Sequence, residues 1–307
     1  MKTFRKVALV DDCGLVGDYR KAVLDLSREP VDEPSSDPAD DAEIIRRIGD
    51  ADCVLVSWRT RIGDNVLRQC PSIGYVGMCC SLYDEASANV DIATARDMGM
   101  IVKGVRDYGD EGTVEFIFAQ LINLYKGIGP RRWGDEPVEL GGKRLGVIGL
   151  GTLGGMVAHM ALHFGMKVAY HSRSRKYDRE ADGILHMDLN SLLASSDVVS
   201  LHLPRNAMAL GARELGLMRD GTIFINTSLG RPFDAHAFVE WTRRAENNLG
   251  VFDQAGAESL VDVPDIPEAR RNILLYPRSS GFTAEAKERL TRKVYENMKA
   301  FLATVCD

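Results

Sequence analysis

Three glycines carry the first chemical signal in this 307-residue chain. Gly149, Gly151 and Gly154 fall in the spacing G-x-G-x-x-G, directly after the apolar residues Leu145, Val147 and Ile148. That run suits a buried parallel strand. Residues 152–164 have helical character, and Gly165 ends them as a C-terminal glycine does. Residues 166–170 restart a strand. Strand, glycine turn, helix and strand together make a dinucleotide-binding unit. The first glycine turns the chain, the second lets backbone approach a pyrophosphate, and the third lets the helix pack closely on the sheet. Thr152 and Leu153 lie inside the turn and join the glycines as cofactor-contacting residues.

The same unit bears on which dinucleotide is bound. An NAD site places a carboxylate at the end of the second strand, on the ribose 2′-hydroxyl. Here that end reads Tyr170-His171-Ser172-Arg173-Ser174-Arg175-Lys176, with no carboxylate. Ser172, Arg173, Ser174 and Arg175 suit a 2′-phosphate, because guanidinium groups make forked contacts to phosphate. NADP(H) is therefore expected over NAD(H), with an ordinary basic surface turn as the competing reading. His171 is expected near the adenosine. His159 and His163 share a helix face at i, i+4, but no Glu follows His159, so H-E-x-x-H is missing and no metal site is expected.

An alternating α/β chain must position these groups. Strands are expected over residues 6–10, 53–57, 73–79 and 101–105, interleaved with helices over 19–26, 42–48, 65–69 and 89–98. This alternation makes a small parallel domain of its own. Residues 29–41 are acidic and contain three prolines, so they read as a solvated loop. Arg106-Asp107-Tyr108-Gly109-Asp110-Glu111-Gly112 is dense in polar groups and precedes a long helix over 113–124. It reads as a domain crossing, with Asp110, Glu111 and Glu115 favourable near the helix N-terminus. Residues 126–142, including Trp133, form an irregular connector. Beyond the glycine unit, helices are expected over 189–194, 235–245 and 284–302, and strands over 198–203, 222–226, 249–253 and 273–276.

Composition narrows the class. Hydrophobic residues make up 45% of the chain and charged residues 27%, as in soluble globular proteins. A net charge of −6 gives no electrostatic footprint for nucleic acid or an anionic membrane. No apolar run approaches the ~18 residues of a membrane span. The N-terminus runs straight into a strand, so no signal peptide is read and a cytoplasmic location is expected. The six cysteines, Cys13, Cys53, Cys70, Cys79, Cys80 and Cys306, show no C-x-x-C pattern and are expected as free thiols, mostly buried. The adjacent Cys79 and Cys80 read as a core strand end rather than a redox pair.

The order of motifs resembles the D-isomer-specific 2-hydroxyacid dehydrogenase family, which includes formate, phosphoglycerate and glyoxylate/hydroxypyruvate dehydrogenases or reductases. The similarity spans residues 89–285. Its anchors are Asn89-Val90-Asp91, Val114-Glu115, Trp133, the glycine unit, Leu201-His202-Leu203-Pro204, Asn226-Thr227 and Gly281. The resemblance implies two doubly wound parallel α/β domains with the active site in the cleft between them. One is a discontinuous, flavodoxin-like substrate domain over 1–107 and 284–307. The other is a Rossmann domain over 108–283. The resemblance also implies a small-molecule substrate, a homodimer, and cofactor contacts from His202, Leu203, Pro204, Thr227 and Ser228, though His202 reads equally well as a packing residue.

Against that family pattern the catalytic positions depart. The Arg that binds substrate carboxylate and carbonyl follows Asn-Thr-Ser in the family, but here that place is Leu229. Arg231 lies two residues on, where a surface role is the stronger reading. The family's acid motif can be laid on residues 253–258, which makes Asp253 the carboxamide partner and Glu258 the acid. A rival register leaves Gly250 and Ala255 at those places. The family's Pro-His-x-x-Gly reads Pro277-Arg278-Ser279-Ser280-Gly281. Arginine is always protonated and is a poor general acid, but it binds an anion or a developing negative charge. Two readings of Arg278 stand side by side: a substrate anchor paired with Glu258, or a structural ion-pair partner. Tyr83 and Tyr108 are candidate proton donors, with plain structural roles as the alternative. Two functions follow. One is an NADP(H)-dependent oxidoreductase on an atypical oxo-acid-like, imine or activated-alkene substrate. The other is a non-catalytic cofactor-binding relative acting as sensor or interaction protein.

Overall fold

The computed structural model describes residues 2–205, 207–263, 266 and 271–304. The chain divides into two compact units, one comprising Met1–Tyr108 and Thr283–Asp307, the other Gly109–Phe282.

The first unit contains β1 (Val7–Leu9), α1 (Gly17–Leu24), α2 (Asp41–Ile48), β2 (Cys53–Val56), α3 (Asp64–Gln69), β3 (Tyr75–Ser81), α4 (Ile92–Asp97) and β4 (Ile101–Val105). Its strands form a parallel sheet in the order β1-β2-β3-β4. The inner strands are buried on both faces, as a parallel sheet flanked by helices requires. Leu290, Val294 and Met298 of the terminal helix Ala284–Thr304 pack on one face with Val23 and Leu26. Ile44, Ile48, Val66, Leu67 and Ala95 cover the other. The chain leaving α1 touches the sheet once more before β2. Ser27 bridges Phe4 in parallel, and its Oγ accepts the Val7 amide at 3.0 Å. This bridge keeps the doubly wound order, because the acidic, proline-bearing stretch after it cannot supply an apolar ladder. The helix expected from residue 89 begins instead at Ile92. Asp91 caps it by accepting the Thr94 amide at 3.0 Å, while Asn89 donates to the Ser57 and Thr60 carbonyls at 2.7 and 2.5 Å. Cys13, Cys53, Cys70, Cys79 and Cys80 are buried free thiols, whereas Cys306 lies outside the described residues.

The second unit runs α5 (Asp110–Lys126), β5 (Arg144–Ile148), α6 (Thr152–His163), β6 (Lys167–His171), α7 (Tyr177–Glu180), β7 (Leu185–His186), α8 (Leu189–Ser195), β8 (Val198–Leu201), α9 (Ala212–Leu217), β9 (Ile223–Asn226), α10 (Ala235–Arg244), β10 (Leu249–Phe252), α11 (Gln254–Ala257), a 3-10 turn Glu258–Leu260, and β11 (Ile273–Leu275). All seven strands are parallel, in the order β11-β10-β9-β8-β5-β6-β7. The winding direction reverses between β5 and β8. In such sheets ligands bind outside the carboxyl ends of the strands at that reversal. The sequence pattern does not register α7, β7, α9, α11 and the 3-10 turn, which are four, two, six, four and three residues long and too short for a period to show.

Candidate functional site

The glycine turn sits at the reversal point. Gly149 has φ +96°, and a Cβ there would overlap the His202 carbonyl oxygen. A Cβ on Gly154 would overlap the Gly149 carbonyl oxygen, so the helix can lie against the turn only without one. Gly151 has open space where its Cβ would be, and α6 starts at the next residue. Backbone amides at a helix start beside open space are what a pyrophosphate needs. Leu153 is half-buried behind them and packs on the core.

The end of β6 is more occupied than its sequence suggests. The Arg175 fork donates to Glu180 through Nε and Nη2, both at 2.7 Å, and its guanidinium lies 4.9 Å from the Tyr177 ring centroid. Hydrogen bonding to Glu180 raises the Arg175 pKa further, and the same bond holds the Glu180 carboxyl below its usual range. Ser172 Oγ donates to the Ser174 carbonyl at 2.6 Å. Arg173 is exposed, and His171 is half-buried with Nδ1 3.2 Å from the Met187 carbonyl oxygen. Beside the glycine turn lies a cleft of about 400 Å³, lined by Leu150, Gly151, Thr152, Gly155, Met156, His159, Lys176, Asp178 and Arg179. The sequence reading does not single out Lys176 and Arg179. Their signal is a basic run continuing past Arg175.

At the ends of β8 and β9 the structure gathers His202, Leu203, Pro204, Thr227 and Ser228. Ser228 Oγ donates to the Leu201 carbonyl and accepts the Leu203 amide, both at 3.1 Å, which stitches the two strand ends together. His202 Nε2 lies 2.9 Å from Ser200 Oγ, and burial lowers the ring's pKa to about 4, so it is neutral at physiological pH. Pro204 is exposed beyond it. His202 Nδ1, Asn226 Nδ2 and Thr227 Oγ1 are buried without a hydrogen-bond partner. Unsatisfied buried polar atoms are rare in folded proteins. Three at one sheet edge, beside a glycine cradle, fit a polar ligand such as a dinucleotide.

At the ends of β10 and β11, Asp253 is fully engaged. Oδ1 accepts the Gly256 amide at 2.9 Å, and Oδ2 accepts the Ser280 amide at 2.8 Å and hydroxyl at 2.7 Å. Ser280 Oγ also lies 3.1 Å from Thr113 Oγ1 at the start of α5. The sequence reading places Asp253 on the cofactor's carboxamide. Its carboxylate here serves as helix cap and loop staple, and its residue is 1% exposed. Arg278 is exposed and its carbonyl accepts the Gln254 amide at 3.2 Å. Glu258 is exposed at the start of the 3-10 turn, and no ion pair joins it to Arg278. Leu229 is half-buried at the position expected for the family's Arg. Arg231 donates to the Ser259 carbonyl at 2.8 Å, a structural contact.

The remaining two candidates belong to the first unit. Tyr83 is 48% exposed, with the Arg106 guanidinium 5.5 Å from its ring centroid. Arg106 also donates to the Leu82 and Tyr83 carbonyls at 2.7 and 2.6 Å, clamping the loop after β3. Tyr108 packs on the core of its unit, and burial pushes its hydroxyl up to about 12. It therefore stays protonated at neutral pH.

A seven-stranded parallel sheet with a glycine cradle at its reversal point defines a dinucleotide-binding Rossmann unit, and comparison with known proteins places it further. Residues 120–275 match the model of the D-isomer specific 2-hydroxyacid dehydrogenase NAD-binding domain. The chain is 30% identical over 280 residues to a glyoxylate reductase of Aeropyrum pernix, covering 84% of this chain and 82% of that one. It is 26% identical to a hydroxypyruvate reductase of Blautia hydrogenotrophica over 97% of both chains. Its fold is similar to that of the acyclic imino acid reductase Bsp5 in complex with NADPH and D-Arg, with TM-score 0.80, 24% identity and 97% of each chain covered. The chain belongs to the D-isomer-specific 2-hydroxyacid dehydrogenase family and is an NAD(P)-dependent oxidoreductase.

Proposed function

We propose that this oxidoreductase is an NADP(H)-dependent reductase of small 2-oxo acids and close analogues, with Arg278 anchoring the substrate anion. The observation that carries this reading is the setting of Arg278. Its backbone is fixed by the Gln254 amide, its neighbour Ser280 is bound to Asp253, and its side chain is exposed with no carboxylate within 4 Å among the described residues. Among the described residues a purely structural ion-pair role has no partner to support it. The relatives named for glyoxylate and hydroxypyruvate reduction both act, by those names, on small 2-oxo acids.

The nicotinamide, when bound, supplies the hydride that adds to the carbonyl carbon. This chain's residues must then bind the carboxylate, stabilise charge growing on the carbonyl oxygen, and deliver a proton to it. Arg278 suits the first two tasks, being always protonated, and is unsuited to the third. Glu258, Tyr108 and Tyr83 are the candidate donors. The missing strand-end carboxylate after Tyr170 supports NADP(H) over NAD(H).

The test is NADPH and NADH consumption over a panel of glyoxylate, hydroxypyruvate, longer 2-oxo acids and imino acids. Turnover of small 2-oxo acids with NADPH preferred is expected. An inactive panel with NADPH still bound would overturn the reading in favour of a non-catalytic role. Turnover lost in Tyr108→Phe but kept in Glu258→Gln would assign the proton to the tyrosine, and the reverse pattern would assign it to the glutamate.

A further inference from the structure

We infer that Lys176, supported by Arg179, recognises the 2′-phosphate of the dinucleotide, in place of the arginines immediately after β6. The inference rests on the NADP(H) reading above. Three observations carry it. Arg175 is committed, with both donors of its fork on Glu180 at 2.7 Å and its plane on Tyr177. Arg173 is exposed and does not line the cleft beside the glycine turn. Lys176 does line that cleft, is half-buried, and has no ion pair among the described residues.

The placement of Lys176 is firm. Its amide donates to the Tyr170 hydroxyl at 2.6 Å, which pins the base of the side chain five residues past the end of β6. Adenosine ribose belongs at the end of that strand, and pyrophosphate at the start of α6. Gly155, Met156 and His159 of α6 form the cleft's other wall, next to the turn where the pyrophosphate belongs. Arg179 reaches the same space, with Nη1 3.3 Å from His159 Nε2 and Nε 3.4 Å from Asp178. Asp178 also lines the cleft, so Arg179 arrives partly neutralised and Lys176 carries the uncompensated charge.

Titration of NADPH, NADH, adenosine 2′,5′-bisphosphate and 5′-AMP into wild type, Lys176→Ala, Arg179→Ala and the double variant tests this. Loss of a charge-assisted contact should weaken NADPH and the bisphosphate about tenfold or more in Lys176→Ala. A smaller loss is expected in Arg179→Ala. NADH and 5′-AMP should change less than about twofold, which also shows that the variants are folded. Equal weakening of NADPH and NADH would make Lys176 a pyrophosphate ligand and overturn the inference. A wild-type NADPH preference kept in the double variant but lost in Arg173→Ala would overturn it while leaving the cofactor reading standing. A wild type without preference would overturn the cofactor reading itself.

Discussion

The two halves of the larger sheet have been treated differently. Around β5 and β6 the family pattern holds at each glycine, and the geometry explains why. Gly149 and Gly154 abut carbonyl oxygens so closely that no other residue fits. Around β9, β10 and β11 the backbone frame is kept by Asp253, Ser280 and Ser228, while Leu229 and Arg278 stand where the sequence reading expects the family's ionisable residues. A cradle built from main-chain amides leaves little substitution open at Gly149 and Gly154, because neighbouring backbone occupies the space that a Cβ would fill. Chemistry delivered by side chain tips can be exchanged one tip at a time, provided the scaffold beneath is stapled. The Asp253–Ser280–Thr113 chain is that staple.

The largest effect should come from breaking the glycine turn. Gly149→Ala combines a left-handed φ with backbone overlap and should cost about 3 kcal/mol or more. Thermal melts should fall steeply, and NADPH titration should show no binding at concentrations that saturate wild type. A variant that melts normally and binds would show that the turn can relax. His202, where the two halves meet, comes next. Its folded pKa of about 4 lies below the ordinary 6.5, so between those values the unfolded chain binds the extra proton. This contribution is complete above pH 6.5 and is lost as pH falls toward 4, by at most about 3 kcal/mol. The urea midpoint should fall as pH drops across that window in wild type and change less in His202→Gln.

Around β10 and β11, Arg278→Ala should raise KM for a 2-oxo acid roughly tenfold to a hundredfold, in line with loss of a charged hydrogen bond. The dissociation constant for NADPH should stay put. Arg278→Lys should recover part of the loss, and unchanged KM in the alanine variant would end the anchoring role. Ser280→Ala removes the hydroxyl from Asp253 and Thr113 but keeps the amide contact. It should cost about 1–2 kcal/mol in unfolding, and KM for the 2-oxo acid should rise, by less than in Arg278→Ala, if the staple positions Arg278.

Much of the architecture was legible because it is periodic. Strand and helix repeats marked most elements but missed several short ones, α9 among them, and the glycine spacing marked the cradle. The first unit's winding was less legible, since its return segment survives as the bridge of Phe4 to Ser27. Site residues were legible where a motif lies in one stretch. They were obscure where partners come from afar. Nothing in residues 253–258 foretells that Ser280, 27 positions on, fills the Asp253 carboxylate. Likewise Glu180 follows Arg175 by five residues, a spacing that a loop leading into α7 turns into a forked bond. The basic run after β6 announced positive charge without saying which cation stays uncommitted.

The Phe4–Ser27 bridge and the two-residue β7 have a further consequence for how the protein behaves in a crowded solution. A sheet margin is a row of unpaired amides and carbonyls that another chain's strand can extend. Here one margin of each sheet shrinks to a bridge or to two residues, and both sit beside charged segments. Little template is left along those borders, so fibrillar growth by strand addition has almost no foothold there.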